Sequence, residues 1–329
     1  MQITLEGHGE PVPVQAGDTV LASLLRAGLA FPFSCQAGNC GTCKCELVSG
    51  DVHELEYSEH ALSAAERARG IVLACRTQVW DDTVIRRIDA EDLVVHPSRV
   101  MRCRVLEVES LTHDIKGLRL AIEAGGPFTF SAGQYAQVEF APGLSRHYSM
   151  ANTPDEPELV FHVRHMPGGR TSSYVATQLK AGDRVKVCGP LGIAYLREAH
   201  RGPVLLVAGG SGLAPIQSIL CALLARGHDA PVTLYVGVRS ERDLYHEALL
   251  KDLAARHPNF SYQVVLSEQV GARGRLYGMV HEAMKVSDPQ DTMAYLAGPP
   301  VMVEAATALL AARGLSQRQI HADAFYNQG

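Results

Sequence analysis

Four cysteines fall within eleven residues in the stretch SCQAGNCGTCKCELVSG, Ser34 to Gly50. So dense a set of thiols must be crosslinked, bound to metal or buried in a core. A disulfide framework is the weakest of these readings. The chain has 329 residues and only eight cysteines, whereas disulfide scaffolds are short and cysteine-dense. Its first ten residues, MQITLEGHGE, carry neither a basic segment nor an apolar run of the secretory kind. The expectation is a cytoplasmic protein with reduced thiols.

The spacing narrows the metal readings. Cys35-x4-Cys40-x2-Cys43, with Cys75 far downstream in VLACRTQ, has the ligand pattern of a plant-type 2Fe–2S cluster. Structural zinc usually takes two closely spaced knuckles, and here Cys75 stands alone. Gly38 and Gly41 fall inside the loop, where backbone must bend close to cluster sulfur. Cys45, two residues beyond Cys43 at the start of a strand, reads as a small core residue. Cys103, Cys188 and Cys221 have no partner spacing and also read as core.

The rest of the chain divides by rhythm. Residues 1–93 open with the strands QITLEG and PVPVQAG, followed by a helix, TVLASLLRAG, capped by Asp18 and stopped at Gly28. Further strands are expected at Cys45–Val48 and across Val79–Ile88. Between them, Ser63 and Glu66 form a capping box. This is a small α+β domain. It holds 14 carboxylates against 7 Lys and Arg, a net −7 in a chain of net −5, so the remainder is +2.

After a linker near Val95–Ser98, residues 98–199 read as an antiparallel barrel of short strands interrupted by one helix, TSSYVATQL. Residues 202–329 alternate five strands with helices at Ala214–Arg226, Asp243–Arg256, Met279–Lys285 and Val301–Arg313. That is a doubly wound α/β domain on a parallel sheet, whose ligands sit beyond the carboxyl ends of the strands. The balance of charge argues against a nucleic-acid binder, and no apolar run is long enough to span a membrane.

Three further motifs carry chemistry. SRHYSMAN places Arg146, Tyr148 and Ser149 on a strand; Arg offers a fork to phosphate oxygens and Tyr a flat face for a flat ring. HVRHMPGGRTSSYV leads Gly168 and Gly169 into a helix N-terminus, a ready anion site. LLVAGGSGLAPIQSIL follows a strand and opens a helix. Gly210 and Gly212 fit a dinucleotide loop, but Pro215 stands where the third glycine of G-x-G-x-x-G would be. At the end of the second strand of this domain, Arg239 and Ser240 occupy the place where an acid selects NAD or an arginine accommodates the 2′-phosphate of NADP.

Taken in order, these motifs resemble a plant-type ferredoxin domain fused to a flavoprotein of the ferredoxin–NADP reductase type. VHPSRV, THDIKGLRL, SAGQYAQVEF, CGPLGIAYLRE and IHADAFY are especially similar to the reductase components of naphthalene-type aromatic ring-hydroxylating (Rieske) dioxygenases. The resemblance implies a β-grasp fold for the first domain, with Cys35, Cys40, Cys43 and Cys75 as cluster ligands. It implies FAD bound by Arg146, Tyr148, Ser149, Gly169, Arg170, Thr171 and Ser172, with His162 and Arg164 as further cofactor-binding residues. It implies a nicotinamide site at Gly209, Gly210, Gly212, Arg239, Ser240, Gly298, Pro299 and Met302. Phe325, or Tyr326 as second choice, would cover the flavin. Ser149, Tyr148 and Phe325 would be the residues at the site of hydride transfer. In AGPPVM, Ala297 stands where the family's C-G-P-P-x-M segment has a cysteine, so thiol assistance is not expected.

The function implied is an NAD(P)H-dependent reductase, using NADH with NADPH tolerated, that passes single electrons to a ferredoxin or Rieske oxygenase component. Nicotinamide gives up a hydride and a 2Fe–2S cluster carries one electron, so the flavin must take two and release them singly. Plant-type clusters lie near roughly −400 mV and Rieske centres at about −150 to +300 mV. At 59 mV per decade that transfer is favourable by ~10⁴ or more. Alternatives at this point are the reductase of a diiron monooxygenase or of a deoxysugar dehydratase system, a non-catalytic redox sensor or carrier, and a structural zinc protein.

Overall fold

The computed structural model describes residues 1–29, 31–33, 36–38, 41, 43–59, 61–88, 94 and 96–326. The chain divides into two compact units, Met1–Val95 and His96–Gly329.

In the first unit, β1 (Gln2–Leu5), β2 (Val12–Pro13), β3 (Lys44–Ser49), β5 (Ile71–Leu73) and β7 (Thr83–Arg87) form a mixed sheet of order β2-β1-β7-β3-β5. β4 (Val52–Glu54) and β6 (Thr77–Val79) form a separate antiparallel ribbon. The sheet's inner face packs on α1 (Val20–Arg26) through Ile3, Leu5, Leu21, Leu24 and Ile85. Thr19, not Asp18, caps α1: the Thr19 hydroxyl accepts the Ala22 amide at 3.2 Å. Asp18 is drawn instead to Arg26, a charge pair that outcompetes the cap. The helix ends before Gly28, whose positive φ of 75° suits glycine. The segment Val79–Ile88 is two strands rather than one, split at Trp80–Asp82, where the Trp80 amide donates to Asp51 O at 2.8 Å. α2 (Ala64–Arg67) carries the expected Ser63–Glu66 capping box.

In the second unit, β8 (Arg99–Ser110), β9 (Ile115–Ala124), β10 (Tyr135–Ala141), β11 (Leu144–Ser149), β12 (Glu158–Arg164) and β13 (Arg184–Leu191) form an antiparallel sheet of order β11-β10-β13-β8-β9-β12. Its two edges meet. A bridge joins Met150 to Phe161, and the Ala151 amide donates to Val160 O at 2.8 Å. This curls the sheet into a barrel around Met101, Val105, Leu120, Val138 and Phe161. α3 (Arg170–Thr177) follows β12.

The remainder is a six-stranded, all-parallel sheet of order β17-β16-β15-β14-β18-β19, built from β14 (Val204–Gly209), β15 (Val232–Val238), β16 (Phe260–Leu266), β17 (Leu276–Tyr277), β18 (Met293–Gly298) and β19 (Ile320–Ala324). Helices α4 (Leu213–Ala225), α5 (Glu247–Arg256), α6 (Val280–Ala283) and α7 (Pro300–Ala312) connect them. β17, two residues long, is too short to register in the pattern. Every residue of the central β14 is buried, which explains its unbroken apolar sequence. Leu206→Ala there would cost about 2–5 kcal/mol. Strand order reverses direction at β14, with β15 on one side and β18 on the other, so the loop after β14 lies at a switch point.

Candidate functional site

Cys43 immediately precedes β3, and Cys75 sits in the 3-10 turn Ala74–Arg76. Cys43 and Cys75 are both buried, and the Cys75 amide donates to Cys43 Sγ at 3.5 Å. Cys35 and Cys40 lie outside the described residues. The loop glycines are both in the left-handed region and closely packed. Gly38 and Gly41 have φ of 73° and 70°. A Cβ on Gly38 would fall 2.7 Å from Tyr57 Cβ, and one on Gly41 2.7 Å from Ala61 O. The Ser58 amide donates to Gly38 O at 2.9 Å. Lys44, next to Cys43, pairs with Glu66 at 2.7 Å, tying the loop to the α2 cap. Burial pushes the Glu66 carboxyl up, but Lys44 and Ser63 outweigh it and hold it below the usual range. Buried, amide-bonded sulfur on a loop with no room for a Cβ fits a 2Fe–2S cluster. Cys45 is wholly buried, and desolvation, with the nearby Cys75, pushes its thiol up to about 12, consistent with a core residue.

In the barrel, β11 pairs with β10 so that Ser149 stands opposite Tyr135 and Tyr148 opposite Ala136. Arg146 is exposed, while Tyr148 is half-buried with its ring edge-on to Phe140 at 5.8 Å. Gly169 precedes α3, whose N-terminus has no side-chain cap. The Ser172 hydroxyl serves the turn itself, accepting the Met166 amide at 3.1 Å and donating to Gly169 O at 3.3 Å. Thr171 is buried and Arg170 exposed. An exposed guanidinium, an accessible aromatic face and an uncapped helix start fit a flavin with a pyrophosphate.

His162 and Arg164 separate from this group. His162 is buried with Nδ1 3.0 Å from the Tyr245 hydroxyl, and its ring is also edge-on to His246 at 5.1 Å. Burial, then the His246 charge, lowers it to about 3, so it is neutral, and its ring packs between barrel and parallel sheet. Arg164 turns to the nicotinamide side: its Nε donates to Asp114 Oδ2 at 2.9 Å, and it lines a cavity of about 340 Å³ with Gly209, Gly210, Arg239, Pro299 and Met302.

The glycines around that cavity differ in purpose. A Cβ on Gly212 would run into the Ala297 carbonyl, and one on Gly209 would lie 2.8 Å from Pro299 Cδ. A Cβ on Gly298, at φ 143°, would fall 2.9 Å from Gly209 O. These three let two loops touch. Gly210 alone has little against it, only Arg164 Nη1 at 3.4 Å from a built Cβ. Of the four it is the one whose backbone is left open to the cavity. Arg239 and Ser240 stand where the second strand ends, but both are engaged. Arg239 Nη2 donates to Asp243 Oδ1 at 2.8 Å, and the Ser240 hydroxyl to Asp243 Oδ2 at 2.6 Å.

The C-terminal segment brings these pieces together. β19 pairs with β18 so that Asp323 lies opposite Ala297 and Ala324 opposite Gly298. The Phe325 amide donates to Gly298 O at 2.9 Å, and Tyr326 reaches Glu304 with its hydroxyl at 3.4 Å. Ser149 Oγ donates to Asp323 Oδ2 at 3.1 Å. Asp323 is half-buried, and desolvation lifts it to about 6 despite the Ser149 bond. The sequence reading missed Asp323. Its signal was a carboxylate inside the short C-terminal strand IHADA, flanked by alanines. It also missed Asp114, for which no local signal exists.

Barrel, parallel sheet and cysteine loop together define a flavin-dependent oxidoreductase with an iron–sulfur domain. The chain matches the 2Fe-2S iron-sulfur cluster binding domain over residues 3–79, the oxidoreductase FAD-binding domain over 102–195 and the oxidoreductase NAD-binding domain over 206–308. It is 38% identical, over all of both chains, to the naphthalene 1,2-dioxygenase system ferredoxin–NAD(P)+ reductase component of Pseudomonas putida. It is 39% identical to the phenol 2-monooxygenase reductase component of Pseudomonas sp. strain CF600, over 98% of this chain and 94% of that one. The crystal structure of an Amycolatopsis cytochrome P450 reductase superposes with a TM-score of 0.82 at 37% identity, covering 98% of each chain. The chain belongs to the family of ferredoxin–NAD(P)+ reductase components of oxygenase systems. Among the described residues no helix is long and apolar enough to cross a membrane.

Proposed function

We propose that the chain oxidises NADH in preference to NADPH and delivers single electrons to the ferredoxin or the Rieske oxygenase component of an aromatic ring-hydroxylating system in the cytoplasm. The observation that carries this reading is the Ser149–Asp323 hydrogen bond. It ties the R-x-Y-S strand to the strand paired with the nicotinamide loop, so flavin and nicotinamide motifs converge on one point. When bound, FAD and the 2Fe–2S cluster supply the conversion of a two-electron donor into one-electron output.

The chain's own residues do the positioning. Arg146 and Arg170 offer guanidinium donors to phosphate, with the amides of Thr171 and Ser172 at the helix start. Tyr148 offers a ring face, and Phe325 closes the other side of the flavin. Gly210 and Arg164 take the nicotinamide dinucleotide's phosphates. Ser149 Oγ and Asp323 Oδ2 make a hydroxyl–carboxylate pair that can hold a proton at the reacting edge, where family members keep a thiol and this chain has Ala297. Cys35, Cys40, Cys43 and Cys75 hold the cluster.

The test is a visible spectrum of the protein as isolated, followed by anaerobic NADH and then ferredoxin or cytochrome c. Flavin and cluster bands, bleaching by NADH and reduction of the acceptor support the reading. A colourless protein, or one that NADH does not bleach, overturns it. The phenol monooxygenase relative favours a second reading, a diiron oxygenase as acceptor. Turnover with one purified oxygenase and not the other decides between them.

A further inference from the structure

On the sequence, Arg239–Ser240 at the end of the second strand is the combination expected to welcome a 2′-phosphate. The side chains are arranged for something else. Asp243 takes both residues at once, accepting from Arg239 Nη2 at 2.8 Å and from the Ser240 hydroxyl at 2.6 Å and amide at 3.0 Å. A second carboxylate arrives from the barrel. Asp114, in the turn between β8 and β9, places Oδ2 3.4 Å from Arg239 Nη2 and 2.9 Å from Arg164 Nε. The Thr112 hydroxyl donates to Asp114 Oδ1 at 2.9 Å and accepts the Asp114 amide at 3.2 Å, so the turn fixes this carboxylate in place. Both aspartates line the same cavity as Gly210.

We propose that Asp114, reaching across from the flavin barrel, is a specificity-determining residue that selects NADH over NADPH by engaging Arg239. This rests on the reading of the cavity as the nicotinamide dinucleotide site. Arg239 is pulled toward two fixed carboxylates, which offset its charge. Held there, the Arg239 guanidinium is drawn away from pairing with a 2′-phosphate, whereas a ribose 2′-hydroxyl can donate to the same carboxylate oxygens.

Both carboxylates are held ionised: burial raises them, but the bonds from Thr112 and Arg164 to Asp114, and from Ser240 and Arg239 to Asp243, outweigh it. His113 Nε2 lies 3.9 Å from both carboxylates, a grouping that could suggest a cation site. The guanidiniums of Arg164, Arg239 and Arg242 already contact these three side chains and supply the positive charge, so the cluster reads as an ion-pair network.

The experiment compares kcat/KM for NADH and NADPH in the flavin-loaded, cluster-loaded protein with Asp114→Asn, Arg239→Ala and the double variant. Asn keeps the size of the side chain and removes its charge. The wild type should prefer NADH, and Asp114→Asn should shift the NADPH/NADH ratio toward NADPH by roughly tenfold or more, mainly through the KM for NADPH. Arg239→Ala alone should lower NADPH use selectively, and in the double variant the gain should vanish. An unchanged ratio in Asp114→Asn, a gain that persists without Arg239, or a wild type that prefers NADPH overturns the inference. Each of these leaves the reductase reading standing so long as some nicotinamide bleaches the flavin. Bleaching by neither nucleotide would sink both.

Discussion

The two units carry their chemistry in opposite ways. In the first, three of the four cysteines proposed to hold the cluster and the two positive-φ glycines fall within nine consecutive residues, and the loop's bracing comes from segments within about one domain-length of sequence. In the second, the decisive contacts join residues far apart: Ser149 and Asp323 are 174 positions apart, Arg239 and Asp114 125. The cluster loop needs one tight turn of backbone, which spacing encodes directly. The hydride-transfer site needs a barrel strand, a sheet switch point and a C-terminal strand to converge, and only the completed fold encodes that.

The sharpest way to break this comparison is to remove the local chemistry alone. Cys43→Ala or Cys75→Ala should abolish the cluster bands and bring electron delivery to a one-electron acceptor down to background, while NADH still bleaches the flavin. Loss of both reactions together, read from the spectrum and anaerobic bleaching, would mean the two sites are not separable.

The long-range pair comes next. Asp323→Asn and Ser149→Ala should each slow NADH-driven flavin bleaching by roughly 10–100-fold, if the pair acts in proton handling. Asp323 is raised to about 6, so it is neutral below that pH and charged above it. The native state therefore favours the protonated acid, and the cost of ionising it builds as pH rises from about 4 to 6 and is fully present above 6. The wild-type bleaching rate should change near pH 6 and the Asn variant's should not. Thermal unfolding of Asp323→Asn should show a relative gain at pH 8, of up to about 3 kcal/mol, that disappears below pH 4.

Loop packing gives a smaller effect. Gly212→Ala drives a methyl into the Ala297 carbonyl and should cost about 1–3 kcal/mol and weaken NADH binding. Gly210→Ala meets only Arg164, though its φ of 54° adds strain; it should act mainly on the KM for NADH. Equal Tm losses for the two would remove the distinction drawn between packing glycines and the phosphate-facing glycine. Smallest is the effect of salt. If the acidic first unit docks a basic acceptor, turnover with the partner should fall several-fold from low to high salt, while stopped-flow bleaching by NADH stays constant.

Much of this was legible in the letters. The Ser63–Glu66 box, the Gly28 stop, β14 and the order of barrel before parallel sheet all follow from local pattern. The Thr19 cap was misassigned to Asp18 because two good capping residues are adjacent and the choice was made by Arg26, a side chain seven residues beyond Thr19. His162 stands two residues before Arg164 on one strand, yet its partners, Tyr245 and His246, come from another layer, which no local pattern shows. Asp114 lies in a turn whose local bonds are ordinary, and nothing nearby in the chain points to Arg239. Contacts made by closing the tertiary structure leave no periodic trace.

The most direct test of the account is a stepwise anaerobic titration of the as-isolated protein with NADH, followed at flavin and cluster wavelengths. FAD takes two electrons and a 2Fe–2S cluster one, so full bleaching of both should require about 1.5 equivalents of NADH per chain. The reduced protein should then return its electrons to a one-electron acceptor in single steps. A flavin that bleaches with one equivalent while the cluster bands stay unchanged would contradict the claim that pairs of electrons enter this chain and leave it one at a time.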